Sequence, residues 1–137
     1  MTDPAISVRG VERSFGDNSR AVHVLRGVDL DVAAGQLVAL FGPSGSGKTT
    51  LLNLIGALDT PNHGTIQVAG QDITRMSARA RARFRRKQIG FIFQNDTLLP
   101  TYTAQENIDV ALRLRGLGYF ERRKRSRAGL SAVGLSA

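Results

Sequence analysis

The run Gly42-Pro43-Ser44-Gly45-Ser46-Gly47-Lys48-Thr49 satisfies the spacing G-x-x-x-x-G-K-[ST], a pattern of residue types suited to holding a chain of phosphates. Glycines let the backbone point successive N–H groups inward, making an anion-binding concavity capped by the positive end of the following helix. Bulky side chains there would block the approach. Lys48 adds a point charge for the β- and γ-phosphates, and the Thr49 hydroxyl is a hard oxygen donor suited to Mg²⁺. With Thr50 behind them, residues 42–50 form a candidate site for a nucleoside triphosphate and its metal. The competing reading is a flexible Gly/Ser loop with a solvated lysine.

The flanking elements favour the phosphate site. Leu37-Val38-Ala39-Leu40-Phe41 is a continuous apolar run, which predicts a parallel strand buried on both faces. Lys48 to Leu58 reads as a helix whose Leu51, Leu52, Leu54, Ile55 and Leu58 occupy most of its circumference, as in a helix buried against a sheet. Farther on, Ile89-Gly90-Phe91-Ile92-Phe93 predicts a second buried strand. It ends at Gln94, where α/β proteins place ligand-binding groups, and a glutamine there can reach a metal ion or an attacking water.

Around this core, Ile6 and Val8, and then Val28, Leu30 and Val32, alternate with polar residues as half-buried strands do. Gly64-Thr65-Ile66-Gln67-Val68-Ala69-Gly70 repeats the alternation, so an antiparallel amino-terminal sheet is expected. Ser77 reads as the N-cap of a helix running to about Lys87, with Ala80 and Phe84 facing the core. Thr103-Ala104-Gln105-Glu106 is a capping box opening a helix whose Ile108, Ala111, Leu112 and Arg115 share a face. A last helix begins near Glu121 and is weakly specified, because Gly129 and Gly134 interrupt it.

Composition narrows the function classes. Cysteine is absent, which excludes disulfides and thiolate metal sites and fits a reducing compartment. No apolar run approaches the ~20 residues that span a bilayer, and Met1-Thr2-Asp3-Pro4 lacks the regions of a secretion signal. A cytoplasmic location is expected. The net charge of +8 is uneven: residues 1–74 carry 5 basic and 7 acidic groups, residues 75–137 carry 14 and 4. One cluster spans Arg75 to Lys87 and the other Arg122 to Arg127. Either they are solvated helix faces, or they meet nucleic acid or an anionic membrane. Apart from Phe84 and Phe120 no aromatics interleave with them for base stacking, which disfavours nucleic acid.

Taken together, these stretches resemble the ATP-binding subunit of ABC transporters. Ile89 to Gln94 resembles the family's Q-loop strand, and Leu98-Leu99-Pro100-Thr101 with Thr103 to Asn107 resembles the segment after it. Gly27-Val28-Asp29-Leu30 and Gly64-Thr65-Ile66 sit where the family has similar stretches, and Phe15 matches the aromatic A-loop residue, usually tyrosine, that stacks on adenine. The residues around Leu58-Asp59, Gln71-Asp72-Ile73 and Gln94 to Pro100 are most similar to the subfamily of macrolide exporters and lipoprotein-release ATPases.

The resemblance implies an α/β fold: a P-loop NTPase core with an antiparallel amino-terminal β subdomain over about 1–94, and the start of a helical subdomain over about 95–137. It further implies ATP and Mg²⁺ as ligands, with Lys48 and Thr49 on phosphates and metal, and Gln94 as a catalytic and metal-contacting residue that senses the γ-phosphate. The implied partners are an integral membrane permease and a second ATP-binding subunit, with the chain peripheral on the inner face of the cell membrane. Three family features are absent from these 137 residues: an L-S-G-G-Q type signature, an apolar run ending in Asp-Glu (Walker B), and the switch histidine. His23 and His63 both precede Gln94 and are expected at the surface or in turns. The chain stops at Gly134-Leu135-Ser136-Ala137, shortly before the signature would begin. By itself it is therefore expected to bind nucleotide weakly or not at all and to hydrolyse near background, with the strands at 37–41 and 89–93 leaving apolar edges exposed. The alternatives are a non-catalytic module that binds a permease or an intact ATPase through residues 95–115, a nucleic-acid-binding protein, or, ranked low, another phosphate-loop enzyme.

Overall fold

A computed structural model describes residues 4–17, 21–95 and 97–135. The chain divides into two compact units, residues 1–89 and 90–137.

The first unit is built on a four-stranded antiparallel sheet in the order β2-β1-β3-β4, formed by β1 (Ile6–Phe15), β2 (Val22–Val32), β3 (His63–Val68) and β4 (Gln71–Asp72). Ile6 pairs with Val32 on one side and with Val68 on the other, so alternation in three separate stretches converges on one inner face. Val8, Val11, Leu25, Ile66 and Val68 form that face. Beyond Val8 the ladder register shifts, and β1 and β2 run farther than the alternation suggests. The bulge at Arg9–Gly10 is met by Gly64, where a Cβ would stand 2.5 Å from the carbonyl oxygens of both Arg9 and Gly10. Only glycine tolerates that approach together with a φ of +89°.

Helix α1 (Lys48–Ile55) lays Leu51 and Leu54 on the sheet. It is shorter than the expected 48–58 and buries one side rather than most of its circumference, since Leu52 and Leu58 are exposed. Gly56 and the left-handed Ala57 end it. Helix α2 (Ala78–Gln88) is capped by Ser77, whose Oγ accepts from the Ala80 N–H, and it contributes Phe84 to the core as expected. Arg85 donates to the Ala57 carbonyl oxygen at 2.6 Å, so one arginine of the basic cluster serves to close the turn after α1.

The strands expected at 37–41 and 89–93 are not formed. A strand exists through its ladder, and among the described residues neither run has a partner strand. Leu37 and Phe41 are 97% and 92% exposed, and Ile92 is fully exposed, so apolar side chains are uncovered there in extended chain rather than along the strand edges expected. Phe91 and Phe93 still stack with centroids 5.5 Å apart, the same-side placement of residues two apart in extended chain.

The second unit contains α3 (Ala104–Leu114) and α4 (Tyr119–Ala132). The capping box forms in full: Thr103 N–H and its hydroxyl both donate to Glu106 Oε2 at 2.8 Å, and Glu106 N–H donates back to Thr103 Oγ1. The face of α3 differs from the expected one. Ile108 and Leu112 are half-buried together with Asp109, which carries the contact with α4, whereas Ala111 and Arg115 are exposed. Arg122 reaches Asp109 at 3.2 Å and the Leu117 carbonyl oxygen at 3.0 Å, and Ser126 is buried. Gly129 lies inside α4, which runs to Ala132, so the interruption expected there does not occur. No helix among the described residues is long and apolar enough to cross a membrane.

Candidate nucleotide site

The loop preceding α1 takes its shape from glycines at positive φ, Gly42 at 153°, Gly45 at 79° and Gly47 at 90°. Gly47 carries two duties. It is the N-cap of α1 in the left-handed region, and it presses on β2 so closely that a Cβ would meet Leu25 Cδ2 at 2.7 Å and the Val24 carbonyl oxygen at 3.1 Å. The sheet therefore sets the position of the loop.

Gly47 has no side chain to accept from the first turn of α1, and no acidic residue occupies that turn. The first intrahelical bond runs from the Leu51 N–H to the Gly47 carbonyl at 2.8 Å, which leaves the N–H groups of Lys48, Thr49 and Thr50 without intrahelical acceptors. Three orphan donors at the positive end of the helix dipole form an anion cradle. Ser46 N–H closes a turn onto the Pro43 carbonyl at 3.3 Å. Lys48 bends back over the loop, and Nζ donates to the carbonyl oxygens of Gly42 at 2.8 Å and Pro43 at 2.7 Å and to Ser46 Oγ at 3.3 Å. Its ammonium is thus held at the loop by exchangeable hydrogen bonds. Thr49 is exposed, and its hydroxyl has no hydrogen-bond partner among the described residues, a hard donor of the kind Mg²⁺ accepts. The glycine cradle and this donor fit a magnesium-bound phosphate chain. Ser44 and Gly45, also exposed, form the outer wall.

Phe15 stands at the end of β1, opposite Val22 of β2, and is 44% exposed. The Arg13 guanidinium carbon lies 4.5 Å from its ring centroid. Arg13 in turn forks onto Asp59, with Nε to Oδ2 at 2.8 Å and Nη2 to Oδ1 at 3.0 Å. No sequence motif marks Arg13 or Asp59 as a functional partner of Phe15. The available signal was the period of two that puts Arg13 and Phe15 on one side of a strand. Gln94 belongs to the second unit, exposed at a bend after Phe93. His23 and His63 are exposed as expected, though on strands rather than in turns, and His23 Nδ1 lies 2.8 Å from Ser14 Oγ.

An antiparallel sheet, a glycine loop and a helix opening on the lysine define the amino-terminal portion of an ATP-binding cassette. Residues 25–137 match the ABC transporter family, and the chain belongs to it. Among curated proteins it is similar to the macrolide export ATP-binding/permease protein MacB 1 of Aeromonas hydrophila, 42% identical over all of this chain and 21% of that protein. The lipoprotein-releasing system ATP-binding protein LolD of Hahella chejuensis is 41% identical over 99% of this chain and 59% of its own length. The chain thus spans about three fifths, or about one fifth, of these relatives. Among solved structures, a dimeric ATP-binding cassette in a post-hydrolysis state bound to ADP and Pi superposes with a TM-score of 0.84, at 32% identity over 92% of this chain and 56% of that one.

Proposed function

We propose that this chain is the phosphate-binding portion of the ATP-binding subunit of a transporter for macrolide-like compounds or lipoproteins, acting with a membrane permease from the inner face of the cell membrane and paired with a second ATP-binding subunit. The observation that carries the reading is the loop at Gly47, where three orphan N–H groups, the helix dipole and the Lys48 ammonium converge. Residues 42–50 hold the phosphates of ATP, and Thr49 contributes a ligand to Mg²⁺. Bound Mg²⁺ would neutralise charge on the β- and γ-phosphates. Lys48 exchanges its carbonyl acceptors for phosphate oxygens, Phe15 supports the adenine, and Gln94 monitors the γ-phosphate. The relatives' names support the transport assignment, since both kinds are ATP-binding proteins of export or release systems.

Phosphoryl transfer needs metal, water and developing charge positioned together, and the residues of this chain supply the phosphate side of that arrangement. The 137-residue chain is therefore expected to bind ATP weakly, in a Lys48-dependent manner, and to turn it over at background rate. Equilibrium titration with ATP and steady-state phosphate release, each on the chain and on Lys48→Ala, check both parts. Equal ATP affinity in the two proteins would overturn the loop assignment, and robust turnover that Lys48→Ala abolishes would overturn the assignment of the chain as a partial site.

A further inference from the structure

We infer that Arg13 and Asp59 are positioning residues for nucleotide-base recognition: clamped by Asp59, the Arg13 guanidinium backs one face of the Phe15 ring and leaves the other to a purine base. The inference rests on the proposed reading of Phe15 as the base platform and adds what holds that platform in place.

Four observations carry it. The Arg13–Asp59 contact is a two-bond fork between side chains that are only 21% and 30% exposed, a geometry that fixes the guanidinium plane where a single exposed bond would not. Asp59 is itself oriented, since Oδ1 also accepts from the Thr60 N–H at 2.8 Å. The strand end is tied to the same segment a second time: Asn62 N–H donates to the Glu12 carbonyl at 2.9 Å, and Asn62 Oδ1 accepts from the Ser14 N–H at 2.8 Å. Finally, Arg13 pairs in the ladder with Leu25, the residue against which Gly47 of the phosphate loop packs.

The physical consequence is a fixed spacing between two subsites. Asp59 follows the end of α1, whose other end is the phosphate loop, and the β1–β2 ladder joins Arg13 to the wall behind Gly47. Phe15 is thereby referenced to the phosphate cradle from both ends of α1. A cation held over a ring also draws on the ring's electron density, and guanidinium, arene and purine can stack in one column. Phenylalanine has no hydroxyl to anchor its own ring, so its orientation must come from what packs on it.

A role confined to stability would weaken every ligand alike, whereas a role in base recognition spares a ligand that has no base. The test titrates the isotope-labelled chain by NMR with ATP and with inorganic tripolyphosphate, each with Mg²⁺, in the wild type, Arg13→Leu, Asp59→Asn, Phe15→Ala and the Arg13→Leu/Phe15→Ala double variant. Phe15→Ala is expected to weaken ATP about tenfold. Arg13→Leu and Asp59→Asn are expected to weaken it about threefold while leaving tripolyphosphate affinity unchanged. The double variant is expected to bind ATP as Phe15→Ala does. Equal loss of ATP and tripolyphosphate in Arg13→Leu, no loss of ATP, or a loss that persists in the Phe15→Ala background would each overturn the inference. Unchanged ATP affinity in Phe15→Ala would instead remove the base-platform reading and the inference with it. Should Arg13→Leu fail to fold, Asp59→Asn decides by the same criteria, because it keeps the side chain's size and one acceptor oxygen while giving up the charge and one of the two bonds of the fork.

Discussion

At the scale of single residues, Gly47 joins the site to the fold. A phosphate loop needs a small residue there so that the backbone can approach an anion, and this much follows from the motif. The contact with Val24 and Leu25 imposes a second demand that has nothing to do with phosphate. Gly47→Ala is accordingly expected to lower the unfolding free energy by about 1–3 kcal/mol, from a left-handed alanine and a Cβ driven into Leu25. Urea unfolding of the ligand-free chain checks this, and an unchanged midpoint would show that β2 yields to the added methyl. Arg13 is the opposite case. Nothing in its neighbours along the chain predicts a partner at Asp59, since the pair is created by folding β1 alongside the segment that follows α1.

At the scale of elements, local chemistry was legible and lateral pairing was not. The caps at Ser77 and Thr103 depend on residues within three positions of one another, and both form as expected. Hydrogen bonds from the Thr103 backbone N–H and then its hydroxyl hold the Glu106 carboxyl below its ordinary value, with desolvation opposing them. A depressed folded value means that this contribution to α3 is complete above the unfolded carboxylate pKa of about 4.3 and is lost as pH falls through the lower folded value. Helicity at 222 nm is expected to decline across that range in the wild type, and Glu106→Gln should show a smaller decline and a lower helicity at neutral pH. The difference between the two proteins is the informative quantity, because Asp31 and Glu121, whose values are lowered by Arg9 and Arg125, titrate nearby. A wild-type profile that matches Glu106→Gln would exclude the capping box as the titrating device. The apolar runs at 37–41 and 89–93 show the other side. Their hydrophobicity announced strands, but a strand also needs a neighbour for its N–H and C=O groups, and a run of side chains says nothing about where that neighbour lies.

At the scale of the whole chain, those runs expose Leu37 and Phe41 in the first unit and Ile92 in the second. Apolar groups of that size in water favour association, while a net charge of +8 opposes it. The balance should depend on salt, because screening shortens the range of the repulsion to about 8 Å at physiological ionic strength. Sedimentation velocity is expected to show a chain that associates more as salt is raised, with Phe41→Lys and Ile92→Lys each reducing association and the binding of a hydrophobic dye. Association unaffected by either substitution would place the adhesive surface elsewhere. By itself the sequence determined the phosphate loop, the helix caps, the alternating runs that become strands of the amino-terminal sheet, and the family, because each is written in short motifs or in alternation along one strand. Tertiary structure alone decided which face of α1 is buried, which apolar runs find partners, and that Arg13, Phe15 and Asp59 meet. Those outcomes turn on contacts between segments tens of residues apart, whose free energies no local pattern encodes.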